Sequence, residues 1–334
     1  MHKESYFRLN YEQLQTQGIE VHSSLKGIEE IIVRSYEDFD RLISMIYANK
    51  KEEWNVYFRG VSNKKYDLQC GLEYGNIEEH ETDLINDLYA RAPIEFSKCK
   101  NNFEMIALMQ HYGLPTRFLD FSRNPLIALW FACQYDGTEE TADGAVYVAL
   151  SDGMISKKSI EIICNFAISK NTGYMGINLE SIISQEELRH YLFIVAMQRQ
   201  QLFFIEAPAV DQREKNQQSI FLVATNRLGI KEKGKGEQEE MIINQAIIDD
   251  FFVKTEEERK KYDFFKRGLH CYDLKQSLPY LRKIIISQNA KKEILKELSY
   301  RGITENFIYP TLEREAKKVK QEYLVQKRDW RIIY

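Results

Sequence analysis

The sequence lacks the features that mark several large classes of protein. Its 46 Lys and Arg residues are outnumbered by 50 Asp and Glu residues, which gives a formal net charge of −4. This balance makes general binding to nucleic acid unlikely, because no excess of positive charge is present to contact a phosphate backbone. The longest unbroken apolar run, at 126–133, has eight residues, far fewer than the ~18 of a transmembrane helix. Since the amino terminus also lacks the apolar stretch of a signal peptide, we expect a cytoplasmic protein without a membrane span.

Motifs for metal ions and for common nucleotide-binding folds are missing as well. The five cysteines form no CxxC pair, and the six histidines form no HxH or HExxH pattern. We therefore expect no metal site and no disulfides, and we interpret the cysteines as small buried side chains. Neither GxGxxG nor a GxxxxGKS or GxxxxGKT sequence occurs, which argues against Rossmann and P-loop chemistry.

The composition nevertheless favours a chain with a substantial core, because 44% of the residues are hydrophobic and 12% are aromatic. Predicted strands and helices are interspersed without the regular alternation of a doubly wound sheet, so we predict an α+β fold with a mixed or antiparallel sheet and packed helices. The segment 157–190 is polar and weakly patterned. Strands are expected at 27–33, 54–59, 144–150, 202–205, 220–224 and 281–286, and helices at 35–49, 82–112 with a break at Pro93, 126–134, 290–300 and 311–326.

The densest group of polar side chains lies at 110–122, for the most part in a loop predicted at 114–124 between two apolar helices. Arg117 and Asp120 are three residues apart, and we predict that Asp120 is buried and paired either with Arg117 or with backbone donors at the start of the next helix. That helix is expected to begin after an N-cap at Ser122 or Asn124. One interpretation of the loop is purely structural, an ion pair with helix caps. The other is an anion site, formed by the start of the helix with Arg117 as a clamp.

Two sequence blocks resemble a known family. Tyr57-Phe58-Arg59-Gly60 and the long block from His111 to Ala132, which begins His-Tyr-Gly-Leu-Pro-Thr-Arg, are similar to the two main motifs of the FRG domain family. Gln200-Gln201-Leu202-Phe203 resembles a third block of the family, with leucine where the family has glycine. The stretch 295–312 resembles a closing segment. The resemblance spans roughly 30–325, discontinuously and without 230–268.

The resemblance implies a division of the chain. It places an amino-terminal arm at 1–30, an FRG domain core at 31–229, a charged insertion or helical arm at 230–268, and the remainder of the same domain with a terminal helix at 269–334.

The family also implies a function. Its members are mostly bacterial and phage proteins, sometimes associated with defence or toxin loci, and their layout is similar to that of ADP-ribosyltransferases. By that similarity Arg59 holds the phosphates of NAD, the substrate, and Ser122 braces its nicotinamide side. In ADP-ribosyltransferases a glutamate late in the chain stabilises the oxocarbenium-like transition state. Gln201 occupies the matching position but carries no charge, and Glu206 could replace it only in a different register. The implied catalytic residues are Arg59, His111, Arg117, Asp120 and Gln201, and the implied NAD-binding residues are Arg59, Gly60, Tyr112, Thr116 and Ser122.

Three functions stay open at this point. The first is an NAD-using enzyme of the ADP-ribosyltransferase or NAD-cleaving type that acts in phage defence or as a toxin. The second is a non-catalytic module that binds a nucleotide or a protein partner, as a sensor or scaffold. The third is phosphate-ester or nucleic-acid processing, with His111 as general acid or base beside Arg117 and Asp120. If Arg59 and the 110–122 segment form one site, Arg59 lies within side-chain reach of Asp120.

Overall fold

The structure is a computed structural model that describes residues 14, 16, 19–23, 29–72, 77, 80–135, 142–151, 154–168, 202–208, 212–223, 228–230, 241–243 and 281–310. Helices and strands are mixed in these residues, so the α+β prediction is confirmed. The amino-terminal part of the fold comprises β1 (Glu20–Ser23), β2 (Glu29–Val33), α1 (Tyr36–Asn49), β3 (Asn55–Val61), α2 (Glu81–Arg91), α3 (Pro93–Phe96), α4 (Asn102–His111), β4 (Phe118–Ser122) and α5 (Pro125–Ala132). It is followed by β5 (Gly144–Ser151), α6 (Lys157–Ile168), β6 (Phe204–Glu206), α7 (Gln212–Gln217), β7 (Ser219–Val223), β8 (Leu228–Ile230), β9 (Met241–Ile243), β10 (Leu281–Ile286), α8 (Gln288–Tyr300) and α9 (Glu305–Ile308).

A mixed sheet of eight strands forms the centre of the fold. Its strand order is β1-β2-β10-β5-β3-β4-β7-β6, and β8 and β9 form a separate parallel pair. Within the large sheet, β2 and β10 pair in parallel and the other neighbouring strands pair antiparallel. Every residue of β5 and of β10 is buried, as expected for central strands with both faces covered.

The two faces of the sheet are packed differently. On one face, a single apolar cluster includes Tyr57, Phe121 and Tyr147. On the other face, side chains of β2, β3, β5 and β10 pack with α1, α5 and α8, whereas side chains of β4 and β7 pack with α2, α4 and α6. Because side chains alternate along a strand, these two clusters lie side by side on the same face. Asp120 and Ser122 of β4 lie on that face as well, between the clusters.

Helix α5 lies unusually close to the sheet because two strand positions have no side chain. A Cβ added to Gly60 would lie 1.8 Å from the carbonyl oxygen of Ala128, and one added to Gly144 would lie 2.0 Å from that of Ala132. Ala128 and Ala132 are four residues apart, so both face the sheet from the same side of the helix. Glycine in β3 and β5 is therefore what allows the backbone of α5 to contact the sheet.

Most of the predicted elements are confirmed. Helix α2 ends at Arg91 and α3 begins at Pro93, as expected from a break at this proline. The weakly patterned segment 157–190 contains helix α6 over 157–168, whose buried side chains Ile160, Ile163, Cys164 and Ala167 follow helical spacing. Of the segment 230–268, Met241–Ile243 is a strand and not a helix. The helix predicted at 311–326 lies outside the described residues.

The prediction of a loop up to Asn124 is wrong, because Phe118–Ser122 forms strand β4. It pairs along its whole length with β7, from Phe118↔Val223 to Ser122↔Ser219. Phe118, Leu119 and Phe121 are buried, and the alternating pattern of a strand was present but obscured by the polar residues around it.

The cysteines of the described residues agree with the interpretation as buried side chains. Cys70, Cys133 and Cys164 are buried free thiols and Cys99 is half-buried, whereas Cys271 lies outside the described residues. Burial raises the pKa of the Cys133 thiol to about 12, so this thiol stays protonated and unreactive. No helix of the described residues is both long and apolar enough to cross a membrane.

The close contact between α5 and the sheet predicts that a single methyl group added at Gly60 destabilises the fold. Gly60→Ala should lower the free energy of unfolding by about 2–3 kcal/mol, because the new Cβ collides with the backbone of Ala128. Gly113→Ala is the control: Gly113 has φ +94° with nothing within 4 Å of an added Cβ, so only backbone strain of about 1 kcal/mol is expected. Urea unfolding measures both, and equal losses would contradict the close contact.

Candidate functional site

A cleft of about 250 Å³ lies between β3 and β4 beside helix α5. On the helix-bearing face it lies where the two apolar clusters meet, and there the side chain of Asp120 is left uncovered. Alternation along β3 places Arg59 on the other side of that strand, with Tyr57 and Val61. One wall is apolar and comes from α5, and the opposite wall is polar and comes from α7 and β7. The lining residues are Phe58, Arg59, Gly60, Asp120, Phe121, Ser122, Ile127, Ala128, Phe131, Arg213, Gln217 and Ser219.

The cleft exists because β3 and β4 diverge. The two strands pair only at Phe58↔Ser122, whereas β3 pairs with β5 over seven residues. Beyond the Phe58 pair, the guanidinium of Arg59 bridges the strands, since its Nη1 donates to the backbone carbonyl of Asp120 at 2.7 Å. The prediction that Arg59 lies within reach of Asp120 is confirmed.

The three residues of the Phe-Arg-Gly motif thus have three different tasks. Phe58 is fully buried in the cluster beneath α5, Arg59 bridges the diverging strands, and Gly60 admits the backbone of α5. A substitution at any of the three therefore changes the shape of the same cleft, by a different route in each case.

The carboxylate of Asp120 faces the cleft and not the core. Asp120 is exposed, and its Oδ1 accepts a hydrogen bond of 2.7 Å from Nε2 of Gln110, on the last turn of α4. The prediction that Asp120 is buried and paired with Arg117 or with backbone donors is wrong. Alternation along β4 explains the difference, because Leu119 and Phe121 point to the opposite face of the sheet.

Arg117 has a different partner from the one predicted. Its Nε donates to Oε1 of Glu81 at 2.8 Å and its Nη2 to Oε2 of the same carboxylate. The side chains are only 5% and 9% exposed. Glu81, at the first position of α2, was not recognised from the sequence because it lies 36 residues away from Arg117. The guanidinium of Arg117 is therefore used in the core and does not lie at the start of α5 as an anion clamp.

Ser122 and Asn124 together fix the start of α5. Asn124 is the N-cap, and its side chain accepts from the backbone amide of Leu126 at 2.9 Å, so one of the two predicted caps is confirmed. The hydroxyl of Ser122 accepts from the amide of Asn124 and donates to the carbonyl of Gln217 at 2.6 Å. Ser122 thus joins β4 to α7 at the base of the cleft.

Three lining residues were missed by the sequence analysis: Arg213, Gln217 and Ser219. They lie on α7 and at the start of β7, in a polar stretch whose composition gives no signal of a site. Arg213 is half-buried, with its guanidinium carbon 4.8 Å from the ring centroid of Tyr309, which restrains the cation at the rim.

The other predicted site residues do not line the cleft. Thr116 is buried and its hydroxyl donates to Oε1 of Gln110. His111 is half-buried at the end of α4, and the neighbouring Tyr112 is 66% exposed. Gln201 lies outside the described residues. Glu206, its suggested substitute, pairs with Arg123 at 2.6 Å on the surface and does not line the cleft.

The described residues that line the cleft carry a positive balance, because they include two arginines, Arg59 and Arg213, and a single acidic residue, Asp120. Two phenols nearby do not change this balance. Burial raises the pKa of Tyr147, the register partner of Arg59, and also that of Tyr57. Both phenols are neutral at physiological pH. Among the described residues, no group of three His, Cys, Asp or Glu side chains is arranged to hold a metal ion.

Comparison with known proteins gives one match. Residues 54–141 match the family described as the FRG domain. This match includes β3, β4 and α5, and therefore most of the cleft, but not Arg213, Gln217 and Ser219. No curated protein and no solved structure is similar enough to this chain to be matched to it.

The Arg117–Glu81 pair predicts a large effect on stability. Glu81→Leu should lower the free energy of unfolding by about 3–5 kcal/mol, because it removes the carboxylate that binds the buried guanidinium of Arg117 through two hydrogen bonds. As a control, Glu206→Leu removes a carboxylate whose side chain is 70% exposed and should cost less than about 1 kcal/mol. Denaturant unfolding compares the two, and a small loss for Glu81→Leu would contradict the buried pair.

Proposed function

We propose that this chain, whose residues 54–141 match the FRG domain family, binds NAD in the cleft and cleaves the nicotinamide bond, as an ADP-ribosyltransferase or NAD glycohydrolase. One observation carries the proposal. Arg59, Asp120 and Ser122, which lie in two sequence blocks about sixty residues apart, line one cleft together with Arg213. An enzyme needs its charged groups to converge on one concave site.

The charges of the cleft suit a pyrophosphate. Guanidinium groups bind phosphate oxygens through paired N–H donors, and two residues that carry them, Arg59 of β3 and Arg213 of α7, line the cleft. Each is positioned before a ligand arrives, Arg59 by the carbonyl of Asp120 and Arg213 by the ring of Tyr309. Such preorganisation lowers the entropic cost of binding.

Asp120 is our choice for the acid that supports the reaction. Cleavage of the nicotinamide bond leaves a developing positive charge on the ribose, and a carboxylate stabilises such an oxocarbenium-like transition state. The Asp120 carboxylate lies in the same cleft as both arginines, whereas Glu206 pairs with Arg123 outside it. The role of Gln201 stays a prediction.

The size and apolar wall of the cleft fit one end of NAD. A volume of about 250 Å³ is below the usual range of about 300–1,000 Å³ for a site that encloses a whole drug-sized ligand. We infer that the nicotinamide riboside end enters the cleft beside Ile127 and Phe131 of α5, and that the adenosine end lies across its rim.

A non-catalytic module that binds a nucleotide or a protein is the second candidate. It is favoured by the mutual pairing of the site residues, since Arg59 donates to Asp120 and Gln110 holds its carboxylate. Processing of phosphate esters or nucleic acid has less support, because Arg117 is bound to Glu81 and His111 does not line the cleft.

We predict that the purified full chain releases nicotinamide from NAD. Asp120→Asn should lower kcat by about 10²-fold, because it removes the charge that stabilises the transition state, and Arg213→Ala should mainly raise KM. Glu206→Gln and Arg123→Ala are the matched controls, since they remove the same kinds of charge from a surface pair outside the cleft. Nicotinamide is quantified by liquid chromatography, and both controls should match the unmodified chain.

Two outcomes count against the enzyme. If the unmodified protein binds NAD but releases no nicotinamide, the cleft belongs to a non-catalytic nucleotide-binding module. If Arg213→Ala and Arg59→Ala leave NAD binding unchanged, the cleft is not the site. A role in phage defence or toxin action further predicts that expression of the chain in bacteria depletes NAD and arrests growth, and that Asp120→Asn relieves both effects.

A further inference from the structure

We propose that Gln110 and Thr116 are positioning residues that fix the orientation of the Asp120 carboxylate. As a statement about catalysis this inference rests on the proposed function, but its geometric content does not. Three side chains and one backbone amide form a continuous chain of hydrogen bonds, from the amide of Phe118 through Thr116 and Gln110 to Asp120.

The direction of these hydrogen bonds follows from the carboxylate at their end. A carboxylate oxygen only accepts, so Gln110 presents its donor, Nε2, to Oδ1 of Asp120 at 2.7 Å. The other end of the amide, Oε1, is then an acceptor and receives the hydroxyl proton of Thr116. Oγ1 of Thr116 in turn accepts from the backbone N–H of Phe118 at 3.1 Å. Thr116 and the backbone therefore hold the amide in the one orientation that suits the carboxylate.

These hydrogen bonds connect an exposed carboxylate to residues that are fixed in the core. Thr116 is only 2% exposed and Gln110 is half-buried on the last turn of α4, whereas Asp120 is exposed. An exposed carboxylate without a fixed partner samples several orientations. Here one oxygen is fixed by Gln110, so the orientation of the other relative to the cleft is set as well.

The fold does not need this bond to hold Asp120 in place. The backbone of Asp120 is fixed by pairing with Phe221 in β7 and by the hydrogen bond from Arg59 to its carbonyl. What depends on Gln110 is the direction of the side chain alone. A hydrogen bond to an exposed group adds little to stability, which is why we assign the chain a role in positioning.

The kinetic test compares two substitutions at one residue. Thr116→Val removes the hydroxyl at nearly constant shape and should lower kcat for nicotinamide release about tenfold with KM unchanged, because binding does not depend on the carboxylate orientation. Thr116→Ser keeps the hydroxyl and should restore most of the rate. Gln110→Ala should match Thr116→Val, and the double variant should lose no more than either, since both break the same chain.

A second buried threonine provides the control. Thr82 is 6% exposed and its hydroxyl donates to the carbonyl of Ala167 at 3.0 Å, away from the cleft. Thr82→Val should lower the melting temperature but leave kcat per folded molecule unchanged. If Thr82→Val and Thr116→Val reduce kcat equally, Thr116 acts only through stability and the proposal is wrong.

A ligand-free measurement separates this proposal from the proposed function. The side-chain amide signal of Gln110 in ¹⁵N NMR spectra, assigned by its loss in Gln110→Ala, should shift in Asp120→Ala and in Thr116→Val but not in Thr116→Ser. An unmoved signal in Thr116→Val overturns the chain whatever the enzyme does. If the Gln110 signal shifts as expected but the protein releases no nicotinamide, the positioning of Asp120 is supported and the NAD-cleaving function is refuted.

Discussion

Direct contact between the backbone of α5 and two strands is the constraint on which the rest of this structure depends. It requires glycine at Gly60 and Gly144 and small side chains at Ala128 and Ala132. Close seating of α5 buries Ile127 and Leu129 against the sheet and leaves the neighbouring strip of β4 to polar residues. Asp120 and Ser122 thus line a cleft because the helix beside them lies mainly over β3 and β5.

Much of the fold was predictable because it follows from local pattern. The alternation or continuous hydrophobicity of β3, β5, β7 and β10, and the spacing of apolar residues in α1 and α8, are visible in the sequence itself. Strand β4 was missed since its polar residues and the neighbouring proline and glycine resemble those of a loop. Pairing with β7 over all five residues of β4 decides its structure, and that pairing joins segments about a hundred residues apart.

The site was predictable only in part, for a similar reason. Motif resemblance selected Arg59, Gly60, Asp120 and Ser122, and these four line the cleft. Arg117 was assigned to the nearest acidic residue in sequence, whereas its buried guanidinium binds Glu81 on another helix. Arg213 was missed because a single arginine in a polar stretch becomes part of a site only when α7 packs beside α9.

The strand order has a consequence for synthesis of the chain. β10 lies between β2 and β5, although more than two hundred residues separate it from β2 and about 130 from β5. During translation β2 and β5 are complete long before β10 leaves the ribosome. Until then each strand has one edge without a hydrogen-bonding partner, and this edge carries residues that are buried in the finished fold, such as Ile31 and Val146. Exposed apolar edges are prone to wrong pairing. Folding of the sheet therefore finishes late, and a chain truncated before residue 281 lacks the strand that joins its two halves.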